Sequence, residues 1–288
     1  MGRTPPAFAV FRYLATTLLL ALAASAARAE PAPIRFILSF DDGPSAAGSG
    51  NPTVQVLDTL ARNAVQPDIK AIFFTQTRHW HGGGTETGRG LIQREHEEGH
   101  VVALHSATLT HANHRFMAQD ELEATLRRGI GDLHQLTGTA PLLVRPPFWA
   151  YDAGTLASYH RHGLAMLLTD LNANDGKIYG FHASWHKRAN MLKMLTNTRE
   201  RWLAGAMPVV DGATPVVVTF HDVNGYTAGH LGEYLDILVD VARELNMPTS
   251  AKPFYDERAA LERAALASAV RDGTSRPQLP GLWNWLWQ

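Results

Sequence analysis

The 288-residue chain contains no cysteine. That excludes disulfides, thiolate metal sites and cysteine nucleophiles, so a fold of this length has to be held together by core packing. Net charge is also nearly absent: 26 basic and 27 acidic side chains leave −1, which gives no electrostatic footprint for nucleic acid or an anionic membrane surface. Internal repeats and low-complexity linkers are missing. The apolar run Leu14–Ala24 is shorter than the roughly 20 residues a spanning helix needs. Fourteen histidines are present, and with thiols excluded they make metal or acid/base chemistry the open route.

Arg3 and Arg12 precede that apolar run, and Ala27-Arg28-Ala29 follows it. This is the pattern of an export signal, so residues 1–29 are expected to be a signal peptide cleaved after Ala29, and the mature protein periplasmic or secreted. Beyond it, short β-branched or apolar runs alternate with helical patterns. Strands are predicted at Ile34–Phe40, Ala71–Thr75, Val101–Leu104, Leu142–Val144, Leu164–Thr169 and Val216–Phe220. Helices are predicted at Thr53–Arg62, Gly90–Glu98, Gln119–Leu136, Ala153–His162 and Leu231–Leu245. Such alternation predicts an α/β fold, a distorted (β/α) barrel, complete or incomplete. One domain is expected over 30–255, with an insertion at about 177–208 carrying a helix near Met191–Leu203. Residues 256–288 read as a C-terminal helix and an aromatic tail packed on the barrel, the tail holding Trp283, Trp285 and Trp287.

Polar residues collect where the predicted strands end. The first strand runs into Asp41-Asp42-Gly43-Pro44, the third into His105-Ser106 with His111 and His114 beyond, the fourth into Arg145-Pro146-Pro147-Phe148. The fifth leads to Asp170 and Asp175, and the sixth ends in His221-Asp222. Singly, each has a plainer reading: Asp-Gly-Pro builds turns, and most histidines only hydrogen-bond locally. Together they fall at the carboxyl ends of strands, where (β/α) barrels build their active sites. A carboxylate at 42 and imidazoles at 105 and at 111 or 114 can converge on one cation. Trp80, in Arg78-His79-Trp80-His81 after the second strand, offers a surface on which a sugar could stack.

At these residues the chain resembles the polysaccharide deacetylase family, carbohydrate esterase family 4, with its NodB-homology domain. Ser39-Phe40-Asp41-Asp42-Gly43-Pro44, Arg145-Pro146-Pro147-Phe148 and Val218-Thr219-Phe220-His221 match three of its ordered motifs, and Ala71-Ile72-Phe73-Phe74 and Glu98-Gly99-His100 match segments between them. The resemblance implies a NodB-type barrel and a metal-dependent hydrolase that removes N-acetyl groups from N-acetylglucosamine-containing polysaccharide, be it chitin-like, peptidoglycan or envelope glycan. It implies one divalent ion, usually zinc, on Asp42, His105 and His111. It further implies Asp41 as general base, Arg145 as the group that orients it, and His221 as general acid with Asp175 as its partner, Asp170 being second choice. Pro147 and Phe148 would line the substrate groove, the Phe148 N–H facing the oxyanion. The family spaces its two ligand histidines four apart, whereas Leu109 stands at that position here and His111 two beyond it. Asp175 is followed by Gly176 rather than tryptophan, and Phe148 replaces tyrosine. The expected partner is an N-acetylated glycan, with no nucleic acid and no membrane span once the signal is removed. The alternative is a catalytically silent glycan-binding module on the same fold. Two histidines and a carboxylate also make the facial triad of non-haem iron oxygenases, but strand-helix alternation does not suit the jelly-roll that such sites favour.

Overall fold

The computed structural model describes residues 30–175 and 186–272, and every element below lies in the compact unit that begins at Ala32. Eight strands form the sheet: β1 (Ile34–Asp41), β2 (Ile72–Gln76), β3 (Val101–Ser106), β4 (Leu143–Val144), β5 (Ala165–Met166), β6 (Leu171–Asn172), β7 (Thr214–His221) and β8 (Thr249–Phe254). Seven helices surround or fill it: α1 (Pro52–Ala61), α2 (Glu86–Glu97), α3 (Gln119–Thr137), α4 (Ala153–Arg161), α5 (Lys187–Leu203), α6 (Gly225–Glu244) and α7 (Arg258–Ser268). Strand order is β5-β4-β3-β2-β1-β7-β6, with β8 added beside β1. All of these pairs are parallel. Because β5 and β6 end the path without pairing, the curled sheet is a half-barrel, the open form of the expected (β/α) architecture.

Side-chain alternation sorts each strand between two environments. Phe36, Leu38 and Phe40 of β1 and Val216, Val218 and Phe220 of β7 pack outward against α1, α5 and α6. The intervening Ile37 and Val217 face inward with Ile72, Phe74 and Ala103, where Leu261, Ala264 and Ala265 of α7 fill the concave side. Apolar residues plug the lower barrel, so only the polar ends of the inward rows remain for the mouth. No described helix is long and apolar enough to cross a membrane.

Several boundaries differ from the sequence reading. The segment expected as one strand at Leu164–Thr169 is a strand only at Ala165–Met166: the chain stops pairing with β4 there and pairs with β7 only from Leu171, beyond the expected segment. Between these two pairings lies the open seam. Helix α2 starts at Glu86 rather than Gly90 because the Thr85 side chain accepts from Gly88 N–H and caps it. Asn224 caps α6 the same way, from Tyr226 N–H, so that helix starts six residues before Leu231. Within the expected insertion, α5 packs on α6 and β6 and buries Met191, Leu195 and Trp202. The expected signal peptide, residues 176–185 and the aromatic tail from residue 273 lie outside the described residues.

Candidate active site

Strands β1 and β7 pair along their whole length, Ile37 with Val217, Ser39 with Thr219 and Asp41 with His221. This register carries the inward row to the mouth, so Asp41 and His221 stand opposite each other on neighbouring strands. Simple alternation would send Asp42 to the outer face. Its φ is 70°, a left-handed conformation that Asp tolerates better than most side chains, and this turns it back so that both acids serve one mouth. The next residue must be glycine for a steric reason: a Cβ on Gly43 would lie 2.2 Å from Asp222 Oδ1. Asp222 is fully buried there, its Oδ2 accepting from Thr53 Oγ1 at 2.6 Å.

Asp42, His105 and His111 meet as a candidate metal site. His105 Nε2 and His111 Nε2 are 3.1 Å apart, and they lie 3.2 and 3.4 Å from Asp42 Oδ1. Three donors on a tetrahedral ion with bonds of about 2.0–2.1 Å are separated by about 3.3–3.4 Å, so the triangle has the size a small divalent cation requires. The tautomer agrees. His105 Nδ1 lies 2.9 Å from Arg145 O, a partner that can only accept, so Nδ1 carries the proton and the Nε2 lone pair faces the triangle. Burial, opposed by Asp42, pushes His111 down to about 4, which keeps its imidazole neutral and able to ligate. Burial would raise the Asp42 carboxyl, but the surrounding imidazoles of His105, His111 and His221 hold it well below the ordinary carboxylate range. The donor set therefore fits a metal ion in size, tautomer and charge.

Two supported side chains flank this triangle. Asp41 is buried, its Oδ1 accepting from Arg145 Nη1 at 2.7 Å and its Oδ2 from Trp149 Nε1 at 3.2 Å. Arg145 also donates to Ser39 Oγ and to the main-chain oxygens of Leu167 and Leu168, and lies over the Phe74 ring. Across the mouth, His221 Nδ1 donates to Asp175 Oδ1 at 2.9 Å, leaving Nε2 3.9 Å from Asp42 Oδ2. Asp175 Oδ2 accepts from His221 N–H and Thr227 Oγ1, and its main-chain oxygen accepts from Asn224 Nδ2. Partial burial lowers His221, yet the charge and hydrogen bond of Asp175 raise it to about 10.

The structure brings some of the residues the sequence left as alternatives to the mouth and not others. His111 joins the triangle, and His114 does not: its Nδ1 pairs with Tyr159 Oη at 2.8 Å inside the protein. The two extra residues are taken up by a loop tied to Trp80, whose N–H donates to Leu109 O, and Leu109 itself is exposed. Asp175, not Asp170, meets His221; Asp170 instead accepts from Val217 N–H and Arg201 beside the open seam. Pro147 is buried in a 3₁₀ turn that exposes Phe148, whose ring stacks on His111 at 4.4 Å. Trp80 is exposed and makes its ring contact with His81. In that turn Trp149 N–H goes to Pro146 O and Ala150 N–H to Pro147 O. Sequence reasoning passed over Ser39, Gln76, Thr227 and Trp149. Gln76 donates to Asp42 Oδ1 from the inward row of β2, so strand alternation could have found it and Ser39. No periodic signal marks Trp149.

Fold and site together define an open α/β barrel with a two-histidine, one-carboxylate centre at the carboxyl ends of its strands. Over residues 29–167 the chain matches the family model of polysaccharide deacetylase. It is 29% identical over 197 residues to the peptidoglycan-N-acetylglucosamine deacetylase PgdA of Listeria monocytogenes, covering 68% of this chain but only 34% of that one. The chain thus spans about a third of that relative's length. A chitin deacetylase of Colletotrichum lindemuthianum is 26% identical over 201 residues, 69% of this chain and 71% of its own. The structure of that fungal enzyme superposes with a TM-score of 0.57 at 22% identity, covering 76% of this chain and 85% of its own. A family 4 acetyl xylan esterase from Clostridium thermocellum, solved with a cobalt ion, gives a TM-score of 0.52 at 20% identity over 75% of this chain and 86% of its own. These two likenesses support the fold.

Proposed function

We propose that this protein is a metal-dependent N-deacetylase of N-acetylglucosamine-containing polysaccharide. The observation that carries the reading is the pairing across one mouth of a clamped carboxylate, Asp41, and a carboxylate-backed imidazole, His221, on either side of the Asp42–His105–His111 triangle. The names of the relatives, peptidoglycan and chitin deacetylases, agree with it. Zinc is the ion we assign to the site, because two neutral imidazoles and one carboxylate are a common zinc donor set. Export to the periplasm or exterior is part of the proposal and rests on the pattern from Arg3 to Ala29.

Amide hydrolysis needs an activated water, a stabilised oxyanion and a proton for the departing amine. A divalent cation, when bound, supplies Lewis-acid polarisation of the acetyl carbonyl and lowers the pKa of water. Asp41, buried and fixed through its oxygens, accepts the proton of the attacking water. His221 enters the reaction already protonated and gives its Nε2 proton to the amine nitrogen as the C–N bond breaks. The Phe148 N–H supplies a donor for the developing oxyanion. Exposed Phe148 and Trp80 offer ring faces to the sugar chain.

The direct test is acetate release from chito-oligosaccharides and peptidoglycan fragments, measured beside metal content. Acetate from metal-loaded protein supports the proposal; binding of glycan by metal-free protein with no release would replace it with a silent binding module. A pH profile tests the acid. With the negative charge of Asp175 removed in Asp175→Asn, burial remains and lowers His221, so the proton is lost at lower pH. The basic limb of kcat/KM should therefore move down from its wild-type position, with a loss of at least about tenfold at pH 8–9 and a smaller loss near pH 5. An unmoved basic limb would show that Asp175 does not set the charge of His221.

A further inference from the structure

The Asp41 carboxylate is held by two donors, one on each oxygen. Arg145 Nη1 donates to Oδ1 at 2.7 Å and the Trp149 indole N–H donates to Oδ2 at 3.2 Å. One donor on one oxygen leaves a carboxylate free to turn about its Cβ–Cγ bond, since terminal torsions of this kind have broad minima. A second donor on the other oxygen fixes the plane. The indole suits this place because its nitrogen only donates and adds no second positive charge beside a group that must accept a proton.

The backbone shows that the contact is not incidental to a relaxed loop. Phe148 and Trp149 are successive residues at φ 60° and 57°, a region that bulky side chains seldom occupy and that is held only where surrounding structure enforces it. Hydrogen bonds from Trp149 N–H to Pro146 O and from Ala150 N–H to Pro147 O hold the turn. The left-handed pair exposes the Phe148 ring and sends the next side chain inward, so that the Trp149 indole is buried against Asp41. A relaxed φ at either residue would redirect the indole.

We propose that Trp149 is a positioning residue for deacetylation, its indole N–H fixing the plane of the Asp41 carboxylate against Arg145 so that the free lone pair of Oδ2 faces the attacking water. The role rests on the deacetylase reading. In metal-loaded full-length Trp149→Phe, which keeps a ring and removes the donor, kcat on N-acetylated chito-oligosaccharide should fall about tenfold, as for one hydrogen bond to a charged group. KM should stay within about twofold and metal content should be unchanged, because the indole touches neither sugar nor ion in this assignment. A second measurement does not depend on that variant folding. In Asp41→Asn the amide oxygen turns to Arg145 and its NH₂ to Trp149, so the indole N–H resonance of Trp149, assigned in ¹⁵N-labelled protein, should move upfield. A tenfold fall confined to kcat, or the upfield move, supports the role. Unchanged turnover in Trp149→Phe, a loss expressed wholly in KM, or an unmoved indole resonance in Asp41→Asn overturns it while wild-type deacetylation stands. Wild-type protein that releases no acetate from any of the glycans above removes the deacetylase reading and this role together.

Discussion

Asp42→Ala and Asp41→Asn, changes at adjacent residues, will fail in different ways. After dialysis Asp42→Ala will carry no stoichiometric metal and will release no acetate, whereas Asp41→Asn will keep its metal and lose turnover by about 10²–10⁴-fold, the range for removing a general base. The difference follows from the turn. At φ 70° Asp42 brings Oδ1 within 3.4 Å of both imidazole nitrogens, while Asp41 spends its oxygens on Arg145 and Trp149. Removing a ligand should weaken metal binding well beyond the roughly 10–100-fold caused by loss of a supporting hydrogen bond. His111→Ala should behave like Asp42→Ala. His114→Ala should retain the ion, because its ring is held by Tyr159 away from the triangle. Metal analysis of the four variants beside acetate release checks the set. Full activity in Asp41→Asn, or metal lost with His114 and kept without His111, would overturn the assignment of roles.

The clustering of polar side chains at the strand ends was legible because inward rows of β1, β3 and β7 end in Asp41, His105 and His221, and polar residues terminating apolar alternation stand out in any β/α sequence. What was not legible depends on backbone conformation or on seams. Alternation alone cannot say that Asp42 turns back to the mouth, since that requires the positive φ at 42 and the space that Gly43 leaves for the Asp222 carboxylate. Strand β8 escaped because Thr249-Ser250-Ala251-Lys252-Pro253-Phe254 has neither apolar alternation nor freedom from proline, and it pairs with β1 in a broken register. The apolar run at Leu164–Thr169 looked like one strand because its composition is that of one. Its middle instead turns main-chain oxygens toward a side chain, with Leu167 O and Leu168 O both accepting from Arg145. That choice was invisible in a window around either segment, which lie some twenty residues apart. The six-residue spacing of His105 and His111 already allowed both to reach one ion, but the path of the two extra residues, folded onto Trp80 with His111 braced by Phe148, has no signature in the sequence.

Arg145 therefore has a structural weight beyond its place beside the expected base, and Arg145→Met should be the most destabilising single change in the site. The guanidinium is fully buried and paired with a carboxylate that is itself 1% exposed. Removing one partner of such a pair costs about 3–5 kcal/mol, because the remaining charge has neither water nor counter-ion. Two carbonyls at the open seam would lose their donor in addition. For a domain of this size each kcal/mol lowers Tm by roughly 2–4 °C, so calorimetry should show a fall of roughly 6–20 °C. Arg145→Lys should lie between, since an ammonium keeps the charge but cannot reach Asp41, Ser39 and two carbonyls from one planar fork. The double variant Arg145→Met/Asp41→Asn should melt higher than Arg145→Met alone, because it no longer buries an uncompensated carboxylate. That reversal separates charge pairing from packing: if Arg145 served only to fill space over Phe74, the second substitution would add its own cost and the double variant would melt lower.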